Sequence, residues 1–231
     1  LESWKKLIRT ITHEVNNSAI PITNLSGYVS QVIINKEGEF NDLSSLNREL
    51  KDDLKNSLLT IEKRSNGLVN FINSTRDFTR THKPIFRKIR IKDMLERVTR
   101  LLSSDIDAIN VKTELEVLPE KLEITVDPDL FEQVIINLVK NSIEALKKTD
   151  DPVIRIVAQP VSENSSRIKV IDNGTGIPEE NIGSIFVPYF TTRQNGSGLG
   201  LSVCRNIIDL HKGEISVSSR QGSGTVFTII I

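Results

Sequence analysis

The sequence predicts an α+β chain: an N-terminal helical hairpin over 1–82, then a two-layer α/β sandwich over 83–231. Three observations predict it. A heptad seam runs through the first 34 residues. A second amphipathic stretch follows a polar break. Beyond Pro84, helical and strand-like patterns occur together without strict alternation, which favours a two-layer sandwich over a doubly wound sheet.

In the first helix, Trp4, Ile8, Ile11, Val15, Ser18, Ile22, Leu25, Val29 and Val32 recur at alternate spacings of four and three. That is a heptad seam with one polar member, Ser18. A single helix cannot bury it and needs a partner helix, a second chain, or both. The stretch 35–42 is polar, holds Gly38 and reads as a turn. A second helix is expected from about Ser44 to Arg80, with Leu50, Leu54, Leu58, Ile61, Leu68 and Ile72 on its apolar face. Two such hairpins dimerise into a four-helix bundle, so a homodimer is expected. A coiled-coil spacer fits the same pattern.

Pro84 marks the boundary. Helical patterns follow at 93–103, 128–148 and 199–212, and strand-like runs at 122–126, 153–157 and 167–171. The tail, 213–219 and 225–231, reads as a hairpin.

Lys+Arg and Asp+Glu both number 30, so the net charge is zero. That gives no general attraction to nucleic acid or to an anionic membrane. The single cysteine, Cys204, excludes an intramolecular disulfide framework and fits a reducing compartment. No apolar run approaches the roughly 20 residues that span a bilayer. The chain begins at Leu1 and its one methionine is Met94. We therefore expect a cytoplasmic fragment of a longer protein, tied to a membrane only through missing N-terminal regions, if at all.

Three clusters in the second half carry chemistry. Asn137 and Asn141 lie four apart on one helix face, with Glu144 close to it. Their amide oxygens suit a hard cation such as Mg²⁺, although a polar helix face would look the same. Asp172-Asn-Gly174-Thr-Gly176 follows a strand, where glycines admit a flat ligand and a carboxylate can accept from an exocyclic amine. A plain turn is the alternative. Phe190-Thr191-Thr192-Arg193 leads to Gly196-Ser-Gly198-Leu199-Gly200 and a helix, freeing amides for phosphate oxygens, with Arg193 as a clamp. A flexible glycine hinge is the alternative there. This is neither the dinucleotide-binding glycine pattern nor a Walker P-loop.

In order and spacing, these clusters resemble the N, G1, F and G2 boxes of the ATP-binding domain shared by histidine kinases, DNA gyrase and MutL-type ATPases, from about residue 85 to 231. The F box resembles 185–190, and Gly222-Ser-Gly224-Thr225 the last glycine element. The resemblance implies ATP with Mg²⁺ held by Asn141 and Asn137, adenine on Asp172, and a phosphate-side lid of Gly196, Gly198 and Gly200. Gln194 and Asn195 alone separate Arg193 from Gly196, so the lid is short, as in nitrogen-regulation-type sensor kinases.

His82, at the boundary, and His211, at the end of the last helix, read as structural. His13 falls at the most exposed heptad position if Ile8, Val15, Ile22 and Val29 are its a positions. Glu14 beside it can take a proton, and Asn17 lies one turn on. By itself this is also what a solvated surface histidine looks like. His13-Glu14-Val-Asn-Asn17 resembles the H-box of sensor histidine kinases. That implies phosphorylation of His13, base assistance from Glu14, and a role for Asn17 in dephosphorylating a response-regulator receiver domain. Ser18 stands where many members carry proline, while Pro21 is retained.

In gyrase-type relatives a glutamate at the first N-box position activates water. Here that residue is Asn137, which cannot act as a base, so an imidazole nucleophile is favoured over hydrolysis. The competing readings are a gyrase- or MutL-like ATPase, which would want a carboxylate at 137, and a nucleotide-binding scaffold that transfers nothing. The segment 81–84 is the expected hinge between the two halves.

Overall fold

A computed structural model of the chain describes residues 2–35, 38–42, 44, 46–79, 83–193 and 198–231. The side chains of 2–11, 13, 14, 70, 71 and 73–79 lie outside that description, as do Thr81 and His82 of the expected hinge at 81–84. The chain divides into two units, 1–76 and 77–231.

The first unit is a helical hairpin of α1 (Glu2–Ile33) and α2 (Arg48–Thr79). α1 continues through Pro21, which cannot supply the usual N–H to the carbonyl four residues back. Val15, Ser18, Ile22, Leu25, Val29 and Val32 of the heptad seam are half-buried. The turn is closed by an Ile34–Phe40 bridge, an Asn35 N–H donated to the Glu39 carbonyl at 2.8 Å, and the Asn41 amide donating to the Val32 carbonyl at 2.8 Å. α2 begins at Arg48, later than the periodicity suggests. The Asn47 side chain caps it by accepting the Leu50 N–H at 2.8 Å.

The second unit is a two-layer α/β sandwich, as expected. Its strands are β1 (Arg87–Arg90), β2 (Lys112–Val117), β3 (Glu123–Val126), β4 (Val153–Ser162), β5 (Ser165–Asp172), β6 (Glu214–Ser219) and β7 (Thr225–Ile230). Five form a mixed sheet in the order β2-β4-β5-β7-β6; β2 and β4 are parallel and the other pairs antiparallel. β1 and β3 form a separate antiparallel pair. The helices are α3 (Ile91–Leu101), α4 (Ser103–Asp107), α5 (Pro128–Leu146), α6 (Glu179–Ile182) and α7 (Gly200–Leu210).

Period-2 alternation turns Ile154, Ile156 and Ala158 of β4, Ile168 and Val170 of β5, and Phe227 and Ile229 of β7 into the core. α5 meets them with Phe131, Val134, Ile135, Leu138, Val139, Ile143 and Leu146, a 3.6-period stripe. α7 adds Val203, Cys204, Ile207 and Ile208. Burial pushes the Cys204 thiol up to about 12, so it stays protonated and packs as a small apolar group.

The start of the unit is anchored to both helices. The Asp127 carboxylate caps α5 by accepting the Asp129 and Leu130 N–H groups, each at 3.1 Å, and its second oxygen accepts the Ile85 N–H at 2.7 Å. The Asp127 N–H donates to His211 Nε2 at 2.9 Å, and His211 Nδ1–H donates to the Ile207 carbonyl at 2.7 Å. Phe86 meets the His211 ring edge-on at 5.2 Å. His211 is buried and structural, as its sequence context suggests.

Candidate nucleotide site

The inward phase of β5 does not stop at Val170. Its next member is Asp172, the last residue of the strand, 5 % exposed and paired with Thr225 of β7. The sheet therefore delivers a carboxylate to the edge of the core, where α5 passes. Ser142 of α5 donates its hydroxyl to Asp172 Oδ2 at 2.9 Å, and the Gly174 N–H donates to Oδ1 at 3.0 Å. Burial, the largest influence, raises the Asp172 carboxyl above its usual value. The bonds from Ser142, Gly174 and Thr225, and the positive Arg193, work the other way.

Outside its buried stripe, α5 turns Asn137, Lys140, Asn141 and Glu144 toward a cavity of about 480 Å³. The cavity is also lined by Asp172, Gly176, Phe190, Thr191, Thr192, Arg193, Gly198, Gly200 and Thr225. Residues from five separate stretches of sequence thus meet on one surface. Asn137 and Asn141 are half-buried, so their amides reach the cavity without being sealed in. Arg193 reaches α5: Nη1 donates to Asn141 Oδ1 at 2.9 Å and Nη2 to the Asn141 carbonyl at 3.3 Å. Its main-chain N–H donates to Thr191 Oγ1 at 3.1 Å.

The glycine segment is closed at its base, where the Tyr189 N–H donates to the Gly198 carbonyl at 2.9 Å. Tyr189 itself has φ +67°, a costly conformation for an aromatic residue. Gly198 has φ +65°, and a Cβ there would lie 2.5 Å from the Tyr189 carbonyl carbon. Gly200 has an ordinary φ; its nearest neighbour to a Cβ is Asn137 Oδ1, at 3.8 Å. The two glycines are therefore present for different reasons: Gly198 for the backbone, Gly200 for open space at the first turn of α7.

Of the expected site residues, Leu199 is fully buried and forms no part of the cavity wall, and Gly174 contributes its N–H from behind Asp172. Gly196 lies outside the described residues. Lys140, Ile177, Leu201 and Phe227 also line the cavity, and sequence reasoning did not single them out. In the first unit, His13 and Glu14 have their backbone on α1 and side chains outside the description. Asn16, Asn17 and Ile20, at three, four and seven residues from His13 on its face, are all exposed.

Comparison with known proteins agrees with this layout. Residues 126–231 match the family described as histidine kinase-, DNA gyrase B- and HSP90-like ATPase. Sporulation kinase D of Bacillus subtilis strain 168 is 30 % identical over 236 residues, covering 100 % of this chain and 42 % of that protein. The signal transduction histidine-protein kinase AtoS of Escherichia coli strain K12 is 28 % identical, covering 100 % of this chain and 35 % of that one. The chain thus spans less than half the length of these curated relatives. Among solved structures, histidine kinase ThkA in complex with response regulator protein TrrA superposes with a TM-score of 0.67 at 27 % identity, over 98 % of this chain and 60 % of that one. The ThkA catalytic domain in a nucleotide-free form is 36 % identical with a TM-score of 0.58, over 64 % of this chain and 95 % of that domain. With that identity across nearly the whole of a solved kinase catalytic domain, and with the acid, amides and glycine segment gathered around one cavity, this chain belongs to the histidine kinases.

Proposed function

We propose that the chain is the catalytic core of an ATP-dependent protein-histidine kinase that phosphorylates His13 and passes the phosphoryl group to a response-regulator aspartate. The observation that carries this reading is the convergence of Asn141, Asp172, Arg193 and Gly198 on one cavity of nucleotide size. Asp172 would accept from the adenine amine. The first turn of α7 would face the phosphates, with Arg193 moving from Asn141 to phosphate oxygens. The catalytic ATP-binding domain is taken as 83–231 and the phosphotransfer hairpin as 1–82.

Asn141 and Asn137 fit Mg²⁺ by donor chemistry, being neutral amides on the cavity wall. Among the described residues no cluster of three His, Cys, Asp or Glu side chains forms a protein cage, which suits a cation bound largely through phosphate and water. Bound there, Mg²⁺ would neutralise charge on the transferring group. An imidazole nitrogen of His13 attacks the γ-phosphorus, the bond to the bridging oxygen breaks, ADP leaves, and Glu14 takes the imidazole proton. Asn17 would orient water when the partner is dephosphorylated.

Leu58, Leu59, Val69 and Ile72 are 51, 52, 55 and 52 % exposed on α2, which favours a second copy of the hairpin and a four-helix bundle. Among the described residues no helix is long and apolar enough to cross a membrane. A cytoplasmic place, with any anchor in regions outside this piece, belongs to the same reading.

Incubation with γ-labelled ATP and Mg²⁺ tests it. The label should be acid-labile, alkali-stable and absent from His13→Ala. A protein that binds ATP yet never carries phosphate on His13 would overturn the kinase reading in favour of a nucleotide-binding scaffold.

A further inference from the structure

The carboxylate that faces the cavity is held from behind. Ser142 is fully buried, makes no part of the cavity wall, and interrupts the apolar stripe of α5 between Val139 and Ile143. An alanine would pack there nearly as well. The hydroxyl is accounted for by one contact, its donation to Asp172 Oδ2 at 2.9 Å, across 30 residues of sequence. The Gly174 N–H donates to Oδ1 at 3.0 Å and the Thr225 backbone also bonds to the carboxylate.

An ionised carboxylate accepts about four hydrogen bonds, so capacity remains for a ligand. That capacity is useful to an amine only while the group is ionised and correctly turned; once protonated, it presents an O–H to another donor. Burial pushes Asp172 toward the protonated form, and Ser142 is the foremost of the hydrogen bonds that oppose it. Arg193 is the charged group acting on Asp172, and Lys140 and Glu144 of α5 line the same cavity.

We infer that Ser142 is a positioning residue for base recognition: its hydroxyl aims the Asp172 carboxylate at the exocyclic amine and so sets the preference for 6-aminopurine nucleotides. This rests on the reading of the cavity as the ATP site. It also makes α5 a two-ended reader, with Asn141 toward the phosphates and its neighbour Ser142 serving the base.

The test uses the full chain and three nucleotides: ATP, GTP, and purine riboside triphosphate, which lacks the 6-amine. Affinities are measured by calorimetry across a pH series for wild type, Ser142→Ala and Ser142→Thr, with thermal melting as the fold control. Ser142→Ala should lose about tenfold in ATP affinity, the usual worth of a hydrogen bond to a charged group. It should bind the 6-H analogue as wild type does, and the acid limb of ATP binding should move to higher pH. Ser142→Thr, which restores the donor, should recover ATP affinity. Equal losses for ATP and the 6-H analogue, or no loss for either, would overturn the inference. Should alanine fail to fold, Ser142→Cys, similar in volume and a weaker donor, gives the same comparison. If wild type itself does not distinguish ATP from the 6-H analogue, the adenine reading of Asp172 fails first, and that result is visible without any variant.

Discussion

The two units bury their apolar residues in opposite ways. In the hairpin, Leu54 is the one buried apolar side chain among the described residues, and the described members of the α1 seam are half-buried. In the α/β unit, a continuous core runs from Ile91 to Ile229, with most members less than a few per cent exposed. The second unit closes its core within itself; the first leaves apolar surface over. Solvent-facing apolar area on a helix is unfavourable by about 25 cal/mol per Å² until something covers it. On the proposed reading, stability of the hairpin would therefore depend on association with a second copy, and that of the sandwich would not.

Separating the two makes the largest difference. Residues 83–231 alone should fold and bind nucleotide yet acquire no phosphate, while the hairpin alone should melt at a temperature that rises with protein concentration. Calorimetry and phosphate labelling on the two pieces check this, and concentration-independent melting of the hairpin would break the contrast. Within the sandwich, Gly198→Ala should reduce phosphorylation by roughly 100-fold, because a Cβ there would displace the Tyr189–Gly198 hydrogen bond beside the cavity. Gly200→Ala, with open space at its Cβ, should cost only a few-fold. Initial labelling rates separate the two.

In the hairpin, Leu58→Glu with Ile72→Glu should weaken self-association by at least about tenfold, since each charge would lie in the exposed apolar surface that the proposed second copy would cover. Analytical ultracentrifugation reads it. The smallest effect belongs to Asp127. Burial is the largest single influence on its carboxyl and acts upward. The N–H groups of Ile85, Leu130 and Asp129, with His211, outweigh it and hold the carboxyl below 3.8. A depressed carboxylate stabilises the fold above its unfolded value and loses that contribution as pH falls through the folded one. Asp127→Ala should therefore cost about 1–2 kcal/mol near neutral pH, and the gap from wild type should narrow below about pH 4. Urea melts at several pH values measure it.

How much of this was readable in advance depended on whether charge masked the pattern. The α5 stripe, the hairpin seam and the β6–β7 hairpin carry clear periodicity, and their elements lie where it places them. β1 is Arg-Lys-Ile-Arg with one half-buried residue and offers no alternation to read, whereas β2 does alternate, Thr113, Leu115 and Val117 falling between Lys112, Glu114 and Glu116, and is a signal the sequence reading passed over. Asp172 was legible as a strand-end acid. Its in-facing phase, continuing Ile168 and Val170, was an additional signal. Ser142 also left a trace, as a polar residue inside an apolar stripe, but its partner on β5 could be known only from the fold. Nothing local announces the positive φ of Tyr189.

The junction at Ile85 and Phe86 has a mechanical consequence. The polypeptide arriving from the hairpin is fastened to the carboxylate at the root of α5 and to the imidazole at the foot of α7. These are the helices whose other residues, Asn141 and Gly200, face the nucleotide cavity. A tug on the incoming segment would thus be felt at the footings of both helices.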